Sequence, residues 1–281
     1  MKIKRKIFQV LFTIFNNIYL LFPFTGRIYQ GNLKYICSPG LNCYSCPASI
    51  FACPIGAMQN FFTGLKAGIA FGKYYFGIFV IGFLGTIGML LGRIVCGWAC
   101  PFGLFQEILY KIPTKKFKIN FSYLKYLKYL ILVIMVIILP IFLTDNFGYG
   151  SAIFCKYLCP AGTLEAGLPL PLLIPSLKEM IGFLYYWKLS ILIIFIIFFI
   201  ISKRPFCRYL CPLGAIYSLF NRFSFLQLEK DLTKCTKCLK CEAVCPMSLK
   251  LDEIPKDQNC IRCFSCIKAC PEKAIKISFR S

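Results

Sequence analysis

The distribution of apolar residues along the chain predicts four membrane-spanning helices. The apolar stretches cover roughly residues 7–24, 74–91, 123–143 and 183–202. Each is close to the length of about 20 residues that a helix needs to cross about 30 Å of hydrocarbon. We expect Pro140 to kink or end the third helix, because proline has no amide hydrogen to donate.

Basic residues flank these stretches unevenly, which predicts their orientation. Lysine and arginine are frequent in residues 2–6, 93–118 and 203–208, and scarcer between the third and fourth stretches. Cytoplasmic loops carry an excess of these residues. No cleavage signal follows the basic start, so we interpret the first stretch as an uncleaved span. The sequence thus predicts a multi-pass protein of the cell membrane with both termini in the cytoplasm.

Four segments of the form Cys-Pro-x-Gly recur along this apolar part. They begin at Cys53, Cys100, Cys159 and Cys211. The last three have another cysteine four residues earlier, at Cys96, Cys155 and Cys207, whereas the first is preceded by Cys37, Cys43 and Cys46. This repeat predicts a duplication into two-helix halves, residues 1–118 and 119–225, related by a pseudo-twofold axis along the membrane normal.

The repeated cysteines predict two metal centres, one at each side of the membrane. A Cys-x3-Cys-Pro segment offers two thiolates at a helix N-terminus, so two segments can hold one [4Fe–4S] cluster. The inner set is Cys96, Cys100, Cys207 and Cys211. The outer set is Cys46, Cys53, Cys155 and Cys159, with Cys43 or Cys37 as substitutes. A disulfide remains an alternative for Cys37 and Cys43, copper or zinc for the inner set, and plain apolar burial for all of them.

Composition narrows the class of protein further. Of 281 residues, 58% are hydrophobic and none is histidine, and the mean hydropathy of +0.68 is too high for an ordinary soluble domain. The absence of histidine excludes His-ligated haem, Rieske centres and His-dependent catalysis. The net charge of +22 arises beside the apolar stretches, so we do not predict nucleic-acid binding.

Residues 226–281 carry a second, denser pattern of cysteines. Two Cys-x2-Cys-x2-Cys-x3-Cys-Pro runs begin at Cys235 and Cys260. This spacing is typical of an α+β ferredoxin domain with two [4Fe–4S] clusters, in which the fourth cysteine of each run ligates the other cluster. The predicted ligand sets are Cys235, Cys238, Cys241 and Cys270 for one cluster, and Cys260, Cys263, Cys266 and Cys245 for the other. Zinc is the alternative metal.

The chain resembles the NapH/NosR-type membrane iron–sulfur proteins. The resemblance rests on residues 96–101 (CGWACP), residues 207–212 (CRYLCP) and the tandem ferredoxin runs. It implies an electron carrier that links quinol, or a cytoplasmic donor, to flavin- or haem-bearing partners on the other side of the membrane. The additional outer cysteines depart from the NapH pattern, which has two Cys-x3-Cys-Pro motifs.

We therefore expect a transmembrane electron-transfer subunit, a component of an oxidoreductase complex without catalytic residues of its own. Four clusters, two in the membrane part and two in the ferredoxin domain, would connect redox proteins on both faces of the lipid membrane. Two alternatives remain at this point. One is a quinol dehydrogenase subunit of the NapH kind, and the other is an assembly protein that binds or reduces copper.

Overall fold

The chain folds into a helical membrane part followed by a small domain closed by two strands. The computed structural model describes residues 2–19, 22–25, 27–65, 75–117, 123–144, 150–179, 181–251, 253–255 and 257–279. The helices of the membrane part are Lys2–Asn16, Phe22–Thr25, Asn32–Tyr35, Pro54–Thr63, Tyr75–Leu91, Ile94–Trp98, Pro101–Leu109, Leu124–Phe142, Phe154–Leu158, Pro160–Gly162, Thr163–Gly167, Pro169–Leu173, Pro175–Leu177, Phe183–Ile201, Pro205–Tyr209 and Pro212–Asn221. The C-terminal domain contains helices Lys240–Ala243 and Ser265–Ala269 and strands Leu226–Lys230 and Ile275–Phe279.

Two helices in the described part of the chain are long and apolar enough to cross a membrane. They are Leu124–Phe142 and Phe183–Ile201, and each has 19 residues. The third and fourth predicted spans are thereby confirmed as helices of spanning length. The second predicted span corresponds to a shorter apolar helix, Gly77–Leu91 within Tyr75–Leu91, and residue 74 lies outside the described residues. These helices indicate a membrane protein.

The first helix differs from the predicted span in its bounds. It begins at Lys2 and ends at Asn16, so the prediction of a helix as far as residue 24 is wrong. The amide of Asn16 donates to the carbonyl of Phe12, and that of Asn17 donates to the carbonyl of Thr13. Asparagine side chains that bond to nearby backbone groups compete with helix continuation, which accounts for the early end.

The first helix also has its polar face turned towards the protein. Arg5, Gln9 and Asn16 are buried. The opposite face exposes large apolar side chains, namely Ile7, Phe8, Leu11, Ile14 and Phe15. A helix on a water-soluble protein would have the reverse arrangement, so this apolar face is suited to contact with lipid.

The third predicted span contains an irregularity near Pro140. The helix continues past this proline to Phe142, so Pro140 does not end it, but residues Leu132–Ile138 just before it are π-helical. Proline cannot donate to the carbonyl four residues earlier, and its ring crowds that carbonyl. A wider π turn absorbs this local mismatch.

Aromatic packing joins the segment around Phe102 to the segment around Phe199 and Phe206. The ring of Phe102 lies 5.3 Å from that of Phe206 and 5.7 Å from that of Phe199, with near-perpendicular planes. Phe195 packs in the same way on Phe206, at 5.5 Å. Edge-to-face pairs of this kind add to the stabilisation from apolar burial. The cluster fixes helices Pro101–Leu109 and Phe183–Ile201 against each other.

The C-terminal domain repeats its backbone conformation every 25 residues. Its two strands pair antiparallel, with Leu226 opposite Phe279 and Lys230 opposite Ile275. Non-glycine residues with positive φ recur at equivalent positions of the two cysteine runs, namely Lys237 and Arg262, Leu239 and Phe264, and Ser248 and Lys273. Such residues turn successive backbone amides inward, as in anion-binding concavities. Both runs therefore wrap in the same way.

Candidate metal centres

The inner cysteine set lies where two equivalent loops meet. Cys100 precedes helix Pro101–Leu109, and Cys211 precedes helix Pro212–Asn221. Their sulfurs accept hydrogen bonds from the backbone N–H groups of Gly103 and Gly214, both at 3.4 Å. Proline at the first helical position leaves these N–H groups free to point at the preceding cysteine. Both sulfurs are thus held where a helix N-terminus favours negative charge.

Each of the two cysteine loops has an arginine whose side chain donates a hydrogen bond to the other loop. Arg93 donates to the carbonyl oxygen of Cys207 at 3.0 Å, and Arg204 donates to that of Cys96 at 2.5 Å. Each arginine precedes the first cysteine of its own loop by three residues and reaches the other loop. Both are at most 1% exposed. The pair therefore makes reciprocal hydrogen bonds between the two loops and places two positive charges beside four thiols.

The charges behind the two arginines are not equivalent. Glu107 forms ion pairs with Arg204 at 2.9 Å and with Arg5 at 2.8 Å. Arg93 instead shares the neutral side-chain oxygen of Asn259 with the buried side-chain nitrogen of Lys128. The two cysteine loops are thus equivalent in the hydrogen bonds that they receive from the arginines. They differ in the side chains that contact those arginines from the other side.

The four inner thiols lie close together. Burial, followed by the neighbouring Cys207 and Cys96, raises the pKa of the Cys100 thiol. The side-chain amide of Gln106 donates to the sulfur of Cys207 at 3.0 Å, in addition to the backbone N–H of Gly103 that donates to the sulfur of Cys100. Donors aimed at sulfur stabilise a thiolate and raise the potential of a bound cluster.

The outer cysteine set surrounds an open cavity of about 620 Å³. The cysteines that line it are Cys43, Cys53, Cys155 and Cys159. Cys46 does not line it, and its thiol donates to the side-chain oxygen of Asn17 at 3.7 Å. The cavity lining therefore favours Cys43, a predicted substitute, over Cys46 as the fourth outer ligand.

Cys37 occupies a different place from both sets. It is 2% exposed and pairs through a backbone bridge with Ala52. Burial and the nearby thiols of Cys96, Cys100, Cys37 and Cys211 raise the pKa of the Tyr217 phenol, so Cys37 lies on the side of the inner set. All eighteen cysteines are free thiols, and no disulfide joins Cys37 to Cys43.

A polar residue six positions after each Cys-Pro cysteine supports the opposite segment. These residues are Gln59, Gln106, Glu165 and Tyr217. Gln59 accepts from the backbone N–H of Cys155 at 3.2 Å, and Glu165 accepts from that of Cys43 at 2.5 Å. Burial raises the pKa of Glu165 to about 7, although the N–H of Cys43 opposes this shift. The phenol of Tyr217 donates to the carbonyl of Pro39 at 2.9 Å.

Sequence reasoning missed this polar position, although a signal exists. It lies three residues after the glycine of each Cys-Pro-x-Gly segment, hence on the same helix face. A polar side chain on that face can therefore form a hydrogen bond with the opposite segment of the site. The repeat is better described as Cys-Pro-x-Gly-x-x-polar.

The second predicted ligand set of the ferredoxin domain, which contains Cys260 and Cys245, is brought together in the structure. Burial and the neighbouring thiols of Cys260, Cys263 and Cys245 raise the pKa of Cys266, so these four cysteines lie together. In the other predicted set, Cys241 lies near Cys235, and the sulfur of Cys270 accepts from the N–H of Ala274 at 3.3 Å. The exposed thiol of Cys238 belongs to the same run.

The second cysteine run of the ferredoxin domain rests directly on the inner site. A Cβ atom on Gly97 would lie 2.6 Å from the carbonyl oxygen of Ile261. The indole of Trp98 donates to the carbonyl of Arg262 at 3.2 Å. The amide of Asn221 donates to the carbonyl of Cys260 at 3.0 Å. The loop that carries Cys260 is therefore fastened to the loop that carries Cys96.

The cysteine sets suit a cluster better than a single ion. In the part of the chain that the structure describes, no three His, Cys, Asp or Glu side chains are grouped closely enough to hold one metal ion. A [4Fe–4S] cluster is larger, and its ligand sulfurs stand at separate corners. Four sulfur donors, nearby N–H groups and, at the outer set, a cavity match this requirement.

Comparisons with known protein families agree with these centres. The family described as "4Fe-4S binding domain" matches three successive segments, residues 74–120, 127–168 and 185–227. Each segment contains one Cys-x3-Cys-Pro motif. The family described as "4Fe-4S dicluster domain" matches residues 227–271, which hold both ferredoxin runs.

Several curated proteins are similar to the chain. The uncharacterized protein MJ0750 of Methanocaldococcus jannaschii is 32% identical over 196 residues, which cover 69% of this chain and 75% of that protein. The putative electron transport protein YccM of Escherichia coli is 24% identical, over 66% of this chain and 51% of that protein. The ferredoxin-type protein NapH of Haemophilus influenzae is 34% identical over 101 residues, 32% of this chain and 35% of that protein. No solved structure matches the chain.

Proposed function

Because the chain belongs to the family of NapH-like [4Fe–4S] electron-transfer proteins, we propose that it conducts electrons across the membrane through four cysteine sites. The observation that carries this proposal is the contact between successive sites. Bound [4Fe–4S] clusters supply one-electron redox chemistry. The protein supplies the spacing, the hydrogen bonds to sulfur and the compensating charge.

The order of the sites follows from these contacts. The set with Cys260, Cys263, Cys266 and Cys245 is proximal, because its loop meets Gly97 and Trp98 of the inner site. The set with Cys235, Cys238, Cys241 and Cys270 is then distal and faces the cytoplasmic donor. The inner set Cys96, Cys100, Cys207 and Cys211 receives electrons from the proximal set.

Leu41 links the inner and outer sites. The preceding residue, Gly40, packs against the inner site, because a Cβ atom on it would lie 2.8 Å from the Cα atom of Cys100, and Leu41 itself lines the outer cavity. Cys43 follows two residues later, and two residues of extended chain span only about 7 Å. We assign Cys43, Cys53, Cys155 and Cys159 to the outer site, from which electrons leave to a redox partner.

The conduit needs no quinone, and this distinguishes it from the quinol alternative. Short steps between buried sites avoid placing an isolated charge in about 30 Å of hydrocarbon. The basic flanks orient the distal site towards the cytoplasm. The outer cavity is open, so a partner on that side can approach Cys155.

The test is electron transfer into sealed, quinone-free vesicles. Protein purified without oxygen is reconstituted with ferricyanide enclosed, and dithionite is added outside. We expect reduction of the enclosed ferricyanide, and about sixteen irons per chain with spectra of interacting [4Fe–4S] clusters. The variant Cys211→Ala interrupts the proposed route, while Cys37→Ala serves as the matched control.

Three results would contradict the conduit. Transfer that requires added menaquinone indicates a quinol dehydrogenase subunit. About eight irons accompanied by copper indicates copper handling by the membrane cysteines. Equal transfer rates in Cys211→Ala and wild type show that the inner set is not on the route.

A further inference from the structure

A second cavity, of about 200 Å³, lies between the membrane part and the ferredoxin domain. Arg5 and Lys6 of the first helix line one side, and Val244 and Pro246 of the ferredoxin domain line another. We call this space the interface cavity. It has room for about six water molecules, so it can accept a small polar group.

The charge around the interface cavity is strongly positive. Its cationic side chains are Arg5, Lys6, Lys111, Lys203 and Arg204, and its carboxylate is Glu107. Glu107 is already shared between the two arginines. Among the described residues, no carboxylate forms an ion pair with the three lysines. Burial, and then the charge of Lys111, lowers the pKa of Lys6.

Arg5 provides a second, independent observation. It is only 7% exposed, and its Nε and Nη1 atoms have no hydrogen-bond partner among the described residues. A buried charged donor without an acceptor destabilises the protein, because it has lost its hydrogen bonds to water without replacement. An anion in the cavity would satisfy these atoms and offset the repulsion among the lysines.

The cavity lies at the level where the apolar face of the first helix begins. Ile7, directly after Lys6, is exposed, as are Phe8 and Leu11. Phosphate groups of phospholipids occupy this boundary between hydrocarbon and water, and basic pockets between helices on the cytoplasmic side bind such headgroups. Arginine forks match phosphate oxygens in pairs, and lysines add point charges.

We propose that the interface cavity binds the phosphate group of an anionic ligand, from either a phospholipid headgroup or a soluble phosphate ester. The bound phosphate bridges the first helix and the Cys245–Pro246 turn of the ferredoxin domain. It therefore helps to hold the proximal cysteine set against the membrane part. This inference does not depend on the direction or route of electrons.

The experiment compares two charge-matched double variants of the full chain. Lys6→Gln with Lys111→Gln removes two cavity lysines, whereas Lys4→Gln with Lys115→Gln removes two exposed lysines from the same segments. Each protein, purified in neutral detergent, is mixed with dioleoyl phosphatidylglycerol, dioleoyl phosphatidylcholine or glycerol 3-phosphate. Native mass spectrometry then measures the bound fraction, and iron content checks that both variants are folded.

We expect wild type and the control variant to bind phosphatidylglycerol, and the cavity variant to bind it on the order of thirtyfold more weakly. If glycerol 3-phosphate does not displace the lipid, a phospholipid is the source. If glycerol 3-phosphate binds as tightly and the cavity variant loses it, a soluble ester is the source. Equal binding by both variants, or equal binding of phosphatidylcholine, would overturn the proposal. Should the cavity variant lose iron, Lys203→Gln alone replaces it, with binding unchanged from wild type as the overturning result.

Discussion

The inner and outer cysteine sites use the same Cys-Pro-x-Gly segment and differ in how it is completed. The inner site has two Cys-x3-Cys-Pro loops, and its four cysteines are 5–6% exposed. The cysteines that we assign to the outer site include Cys43 and Cys53, which are ten residues apart in sequence. Cys43 and Cys155 are only partly buried there. Equal loops thus give a closed site, whereas unequal loops give an open one.

Under the proposed conduit, this difference would let one segment serve two tasks. A closed site excludes water and keeps its environment fixed, which suits an intermediate position in an electron route. An open site gives a partner access to its ligands, which suits an end of the route. The supporting glutamines follow the same division, because Gln106 donates to a sulfur while Gln59 positions backbone.

The largest expected effect tests whether Cys43 or Cys46 is a ligand of the outer site. The variant Cys43→Ala removes a ligand that lines the cavity, so we expect it to lose about four irons per chain. Cys46→Ala should keep its iron, since the thiol of Cys46 is directed at Asn17. Iron and sulfide analysis of anaerobically purified protein measures both. If only Cys46→Ala loses iron, Cys46 and not Cys43 is the fourth ligand of the outer site.

The next largest effect compares the stability contributions of Glu107 and Ser218, which lie beside the two loops of the inner site. Glu107 and Ser218 occupy equivalent positions, 111 residues apart. Glu107→Gln leaves two buried arginines without a counter-charge and should destabilise the fold by about 3–5 kcal/mol. Ser218→Ala removes one hydrogen bond from Lys128 and should cost about 1 kcal/mol. Denaturant unfolding in detergent measures the free energy of unfolding of both variants. A similar loss in both would contradict the proposed difference in charge between the two loops.

A smaller effect tests how closely the ferredoxin domain rests on the inner site. Gly97→Ala forces a methyl group against the carbonyl of Ile261, so we expect a loss of about 1–3 kcal/mol and slower reduction of the inner site. Gly85→Ala is the matched control, because no atom lies within 4 Å of its added Cβ. Stopped-flow reduction and thermal unfolding report the two effects. Identical behaviour of both variants would contradict the close contact.

The smallest effect distinguishes the two glutamines. Gln106→Leu removes a hydrogen bond of about 1 kcal/mol from the sulfur of Cys207 and should lower the inner-site potential by about 40 mV. Gln59→Leu should leave that potential unchanged, because Gln59 contacts backbone atoms of Cys155 and Met135. A redox titration followed by EPR measures the shift. An equal shift in both variants would show that Gln106 has no specific role.

The sequence predicted those features that depend on local spacing. The ferredoxin dicluster segment and the apolar helices Leu124–Phe142 and Phe183–Ile201 follow from motif length and periodicity, whereas the inner cysteine set stays a prediction. The choice between Cys43 and Cys46 does not, because both precede Cys53 on one loop and only the path of that loop decides which sulfur reaches the cavity. The early end of the first helix depends on side-chain bonds of Asn16 and Asn17, which apolar content does not reveal.

The inward polar face of the first helix has a consequence for biosynthesis. Arg5, Gln9 and Asn16 leave the ribosome before Glu107, the ion-pair partner of Arg5, which is made about a hundred residues later. An isolated helix with these side chains enters a bilayer poorly, because each polar group must give up its water without a replacement. Helix Lys2–Asn16 is therefore expected to reach its final position only after helix Pro101–Leu109 has been inserted.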